Sequence, residues 1–156
     1  MIYNVFCKTT YKGGLLAVRF ESSIDINAPA GKVWAMMGKL EEWPQWMPSI
    51  KKIERVSKGL FSVGSRFSVT VKVRGLTVEL SMMTTKFVPE RTVVLEGEVL
   101  GSKLVRFYTL EPVDGKTKVT IGGDVSGVLA WLVRWGGQKV SAEIALAAKT
   151  RIEGSE

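Results

Sequence analysis

The sequence contains no histidine and a single cysteine, Cys7. Without histidine it lacks the commonest general base and metal ligand, and neither a Ser-His-Asp nor a Cys-His arrangement can be assembled. One cysteine excludes an internal disulfide and leaves too few ligands for a zinc site; it fits a reducing, cytoplasmic setting. No apolar run approaches the roughly 20 residues of a membrane span. The first 17 residues carry charges through their middle, unlike a signal peptide. No phosphate-cradling glycine loop and no dinucleotide fingerprint follows a strand. Neither a metal nor an organic cofactor is expected. Asparagine and glutamine are scarce (Asn4, Asn27, Gln45 and Gln138), a paucity of thermolabile side chains that suits a thermophile.

What is present is enough for one domain with a real core: 156 residues, 46% of them hydrophobic. The net charge of +7 is unevenly placed, with 12 Lys/Arg against 5 Asp/Glu in residues 1–78 and 10 against 10 in residues 79–156. The lysines are scattered. Only Lys51 and Lys52, with Arg55 and Lys58 nearby, form a group, too sparse for a nucleic-acid module. Two readings of the basic half stay open: plain solubility, or peripheral contact with an anionic membrane or an acidic protein.

The most informative stretch runs from Ala28 to Val56. Pro29 suits the first position of a helix, and Val33, Trp34 and Met37 recur at helical spacing before Gly38 stops it. A second short turn follows from Glu41 to Gln45, kept short by Pro44 and Pro48. Trp34, Trp43 and Trp46 all fall here, three of the five tryptophans. Each can bury roughly 150–250 Å², so two helices this aromatic must face a large apolar surface.

The remainder supplies it. Residues 1–16 match no periodic template and read as a loosely packed arm. From Ala17 to Asn27 the chain alternates as a half-buried strand, and Ile50 to Val56 reads as a second. Five more strands follow in a meander. Phe67, Val69, Val71 and Val73 share one face; Leu76, Val78, Leu80 and Met82 the next; then Val93, Leu95, Gly97 and Val99; then Leu104, Arg106, Tyr108 and Leu110; then Val119, Ile121, Gly123 and Val125. Gly75, Gly101 and Asp114-Gly115 mark hairpins. Gly127 to Glu153 has helical spacing and a length of roughly 40 Å at 1.5 Å per residue. Gly136-Gly137 in its middle either bends it or admits a close neighbour. Seven strands, two short helices between the first two, and one long terminal helix make an α+β layer.

Several segments together resemble the START/SRPBCC superfamily, the helix-grip fold. They are Phe20 to Pro29 (FESSIDINAP), Val33-Trp34, Trp46 to Ile50 (WMPSI), Val63 to Phe67 (VGSRF), and Leu110-Glu111-Pro112 with Thr117 to Thr120. Within that superfamily the chain looks most like the polyketide cyclase/dehydrase and lipid-transport proteins, and is also similar to the G-type accessory proteins of carbon monoxide dehydrogenase. The resemblance covers about residues 17–153. It implies a seven-stranded curved antiparallel sheet wrapped around the last helix. It also implies a cavity between them for a hydrophobic small molecule: a lipid, a quinone or a polyketide-like compound. The alternatives are a cyclase/dehydrase-like enzyme without metal or histidine, or an accessory protein of the carbon monoxide dehydrogenase type acting through protein or membrane contacts, as a monomer or homodimer. Many relatives carry Ser or Thr before the helix-starting proline; here it is Ala28, which weakens the cap by about 1 kcal/mol.

The candidate ligand contacts follow. Trp34, Trp43 and Trp46 line either the core or the cavity mouth. Phe67, Val69, Val71, Leu80, Met82 and Leu95 lie on the apolar strand faces, and Trp131 and Trp135 on the long helix. Arg106 is the odd residue, on one face with Leu104, Tyr108 and Leu110. If that face is inward, a guanidinium enters an apolar space and needs a partner such as a ligand carboxylate, phosphate or enolate, with Tyr108 giving a second hydrogen bond. If Phe107 and Thr109 point inward instead, Arg106 is solvated. Glu96 and Glu98 share the opposite face of their strand from Leu95 and read as solvated surface charge.

Overall fold

The computed structural model describes residues 4–12, 14–73 and 75–154, with side chains outside 4–6, 10–12, 73 and 132–140. The elements in chain order are β1 (Asn4–Lys12), β2 (Leu15–Ile26), α1 (Ala30–Met37), a 3-10 turn (Leu40–Gln45), β3 (Ile50–Arg55), β4 (Arg66–Val73), β5 (Leu76–Val88), β6 (Thr92–Val99), β7 (Ser102–Val113), β8 (Lys116–Ser126) and α2 (Ala130–Glu153). All strands join one antiparallel sheet in the order β1-β2-β8-β7-β6-β5-β4-β3. Strands β4 to β8 form the five-strand meander read from the alternation, and β3 pairs with β4 at its edge. β2 lies beside β8, so α1 and the 3-10 turn carry the chain from one side of the sheet to its far edge.

The sheet has eight strands where seven were expected. The additional strand is β1, drawn from the residues read as a loose arm. Its nine residues pair in register with β2, from Asn4 opposite Ser23 to Lys12 opposite Leu15. Without it the long, regular β2 would expose a row of unpaired backbone groups, a cost that weak side-chain patterning does not reveal.

Pro29 is the N-cap of α1 rather than its first residue, with extended backbone and no side-chain cap. Ala28 is not simply a lost cap. It is buried in the core, and its carbonyl accepts a hydrogen bond from the buried Thr117 hydroxyl at 2.7 Å. In the turn that follows, Trp43 Nε1 donates to the Met37 carbonyl at 3.0 Å, satisfying an orphan acceptor at the end of α1.

The long helix α2 packs on β2 and β8 and, near its C-terminal half, on α1. It runs as one helix through Gly136 and Gly137. Its last turns are tied to the segment entering α1. Lys149 Nζ donates to the Asp25 carbonyl at 2.6 Å and to Glu153 at 2.9 Å, and Glu153 accepts from the Asn27 N–H at 2.8 Å. The Lys149 and Asn27 hydrogen bonds hold the Glu153 carboxyl below its ordinary range. No helix among the described residues is long and apolar enough to cross a membrane.

Candidate functional site

Between the sheet and α2 the buried apolar residues fall into two clusters. The larger gathers α1, the 3-10 turn, the C-terminal half of α2 and the adjoining strand ends, with Ile24, Val33, Met37, Trp43, Leu110 and Ala148 among its members. The smaller lies at the start of α2 and contains Val18, Phe20, Val125 and Ala130. The inner-face positions between them follow from strand register. One row crosses the sheet from Phe20 on β2 through Gly123, Arg106 and Leu95 to Thr84 on β5. The next row toward the larger cluster runs Ser22, Ile121, Tyr108, Val93 and Phe87.

Arg106 is thus on the inner face, and Phe107 on the outer. Glycine at position 123 makes this possible, since a Cβ there would lie 3.0 Å from Phe20 Cζ and 3.1 Å from Arg106 Cδ. The guanidinium carbon sits 5.1 Å from the centre of the Phe20 ring, within cation–π range. Among the described residues no carboxylate or other hydrogen-bond acceptor engages it. The nearby carboxylates point outward: Glu96 is paired with Lys103, and Glu21 and Asp124 with Arg19. None of residues 132–140 of α2 is acidic. Arg106 is not wholly covered, yet its surroundings desolvate it enough to bring its pKa down to about 10. It remains a cation at neutral pH, with no counter-ion among the described residues.

Three hydroxyls in the same interior are also unmatched. Ser22 Oγ, Thr84 Oγ1 and Ser141 Oγ are buried and lack hydrogen-bond partners. Thr84 is in the row of Arg106, Ser22 in the row beside it, and Ser141 one turn ahead of Ile144 and Ala145 on the buried face of α2. Buried polar atoms are ordinarily satisfied, so four unmet groups on one interior are a local concentration.

The aromatic residues form a continuous series beneath α1. In the order Phe67, Phe61, Phe87, Trp34, Tyr108, Trp43 and Trp46, successive ring centroids are 5.3, 4.7, 5.6, 6.2, 5.6 and 5.8 Å apart. Tyr108 is buried and donates to the Met37 carbonyl at 3.4 Å. Burial raises its phenol above the ordinary range, so it stays protonated. Trp43 belongs to the core. Trp46 packs on the core with one side and with the other borders an open cleft of about 450 Å³, shared with Pro48, Leu146, Ala147 and Arg151. Its indole Nε1 is buried without a partner.

Of the other candidates, Phe67 and Met82 are buried, and Val69, Val71 and Leu95 pack partly buried against the larger cluster. Leu80 is half-buried opposite Val69. Trp131 stands apart at 57% exposure, because Ala130 takes the buried position and the next residue is turned about 100° away. Trp135 lies outside the described side chains. Phe61, Phe87 and the three hydroxyls were not singled out from sequence. A bulge between Thr84 and Lys86 shifts the alternation and brings Phe87 inward, and nothing in the residue types announces it.

Residues 17–153 match the family model described as polyketide cyclase/dehydrase and lipid transport, and the chain belongs to that family, within the START/SRPBCC superfamily. Solved structures agree on the fold. The Zhui aromatase/cyclase from Streptomyces sp. R1128 is similar with a TM-score of 0.77 at 14% identity, over 88% of this chain and 94% of that one. A START superfamily protein from Mycobacterium smegmatis gives 0.76 at 16%, over 88% and 99%. A STAR-related lipid transfer protein from Xanthomonas axonopodis gives 0.65 at 13%, over 97% and 98%. No curated protein sequence matches this chain.

Proposed function

We propose that the protein binds a hydrophobic small molecule, of lipid, quinone or polyketide-like type, between the inner face of the sheet and α2. One observation carries this reading. The interior is divided into two apolar clusters, and the inner-face row where they meet holds Arg106, Thr84 and Gly123 alongside Phe20 and Leu95. A core selected only for stability would not place a cation without a counter-ion and a hydroxyl without a partner there. The kinship with lipid transfer and cyclase proteins supports the same use. Organic extraction of the native protein followed by mass spectrometry is expected to release a lipophilic compound in near-stoichiometric amount. A protein that yields none, and that binds no lipophilic dye saturably, would refute the proposal.

Carriage is favoured over cyclase chemistry by the state of Tyr108. It is protonated, buried, and already engaged with the Met37 carbonyl. Histidine is absent from the sequence, so the side chain that most often moves a proton at neutral pH is missing.

A second reading concerns where such a ligand is exchanged. Exposed apolar side chains gather at one end of the sheet, at Leu15 beside the β1–β2 hairpin, Leu76 at the β4–β5 hairpin, Leu100 at the β6–β7 hairpin, and Val128 and Trp131 at the entry to α2. Exposed Lys72 lies at the same end. Apolar tips with basic neighbours suit the surface of an anionic bilayer. Sedimentation with phosphatidylserine vesicles is expected to fall several-fold on Trp131→Ala. Sedimentation unaffected by that change would refute this second reading.

A further inference from the structure

Among the described side chains, the interior holds a cation without a counter-ion, Arg106, and three buried hydroxyls without hydrogen-bond partners. We propose that the ligand is an amphiphile with a single carboxylate-type anion, that Arg106 is its counter-ion, and that Ser22 and Ser141 supply hydrogen bonds beside the head. This rests on the binding reading of the previous subsection and goes further by assigning the polarity of the ligand.

The electrostatics choose the sign. A cation left unpaired in an apolar interior is costly, and removing a partner from such a pair is more costly than removing both. Glu21, Glu96 and Asp124 on the surrounding strands are paired on the outer face, so among the described residues no carboxylate compensates Arg106 and the charge would arrive with the ligand. The lowered pKa of Arg106 reports the same lack of compensation.

The count of cations chooses the class. No second lysine or arginine occupies the inner-face row of Arg106 or the row beside it on the strands β2, β8, β7, β6 and β5. A phosphate monoester, with nearly two negative charges at neutral pH, would be only half neutralised. A carboxylate, or an enolate or phenolate of the same charge, would be matched. The planar fork of arginine fits the two oxygens of a carboxylate in parallel hydrogen bonds. The guanidinium lies over the Phe20 ring on β2, and Ser22 is the next inner-face position on that strand, whereas Thr84 is on β5, two strands away on the opposite side of Arg106. The tail would then run from the head into the aromatic series, from Tyr108 toward Phe87 and Phe61.

The test uses the delipidated full chain and a matched pair of fluorescent probes, 11-(dansylamino)undecanoic acid and its methyl ester. The wild type is expected to bind the acid at least about tenfold more tightly than the ester, the scale of a charge-assisted pair in a desolvated site. Arg106→Met is expected to bind both probes about as the wild type binds the ester. The same variant, free of ligand, is expected to melt at or above the wild-type temperature, because it loses an uncompensated charge. Should Arg106→Met not fold, the acid-to-ester ratio of the wild type decides alone. Equal, saturable binding of acid and ester by the wild type would overturn the carboxylate assignment and leave hydrophobic binding standing. Saturable binding of neither would overturn hydrophobic binding itself.

Discussion

Replacing Gly123 by alanine is expected to destabilise the protein by about 3 kcal/mol or more, an over-packing cost at the upper end of the usual range. At this chain length that lowers Tm by about 10 °C. The added Cβ would stand 2.5 Å from the Val105 carbonyl oxygen, a backbone atom. Flexible side chains can move aside; this carbonyl is held in the ladder between β7 and β8, in the middle of the sheet. The usual benefit of Gly→Ala, about 0.4–1 kcal/mol from a less mobile unfolded chain, is too small to compensate. Gly31→Ala is the control. It sits in the first turn of α1, where a Cβ would meet only Glu90 Oε1 at 3.7 Å, and helix propensity favours alanine by up to about 1 kcal/mol. Thermal melts of the two variants should therefore shift in opposite directions. A Gly123→Ala protein that melts with the wild type would mean that β7 and β8 separate more easily than their register implies.

The second large effect separates two tryptophans that look alike in the sequence. Trp43→Ala is expected to cost about 3–5 kcal/mol. Trp43 is 8% exposed, touches the rings of Trp46 and Tyr108, and its Nε1 closes the end of α1. Trp131→Ala is expected to change stability by no more than about 0.5 kcal/mol, as for other surface positions. Urea unfolding resolves both, provided the slope is unchanged between variants. Comparable losses at the two sites would show that Trp131 is covered in solution.

The legible part of this fold was the part governed by local period. Strict alternation in 66–73 and 93–99 assigned both the strands and their inner faces, because a period of two leaves only one way to hide Phe67, Val93 and Leu95. The same parity put Arg106 on one face with Leu104, Tyr108 and Leu110 but left open whether that face or the one with Phe107 and Thr109 is inward, which the packed sheet decides. What stayed hidden depends on partners distant in the chain. β1 lacks a pattern of its own and is a strand because β2 needs a neighbour. The bulge beyond Thr84 inverts parity without any unusual residue. Whether a tryptophan is core or surface depended on a single helical step between Ala130 and Trp131. The unmatched hydroxyls could not be foreseen, since a serine or threonine on an inner face usually finds a partner, and only the packed structure shows that Ser22, Thr84 and Ser141 do not.

The strand order has a consequence for how copies of the protein meet at high concentration. The sheet is open, and its two margins are β1 and β3. Lys8 lies exposed on one, and Lys51, Lys52 and Arg55 on the other, with Glu54 the only acid among the residues of either strand. Two molecules approaching margin to margin would bring ammonium groups together before any backbone hydrogen bond could form. The positive excess of the first half of the chain therefore acts as a guard against intermolecular strand addition, the route by which an open sheet would otherwise seed aggregates.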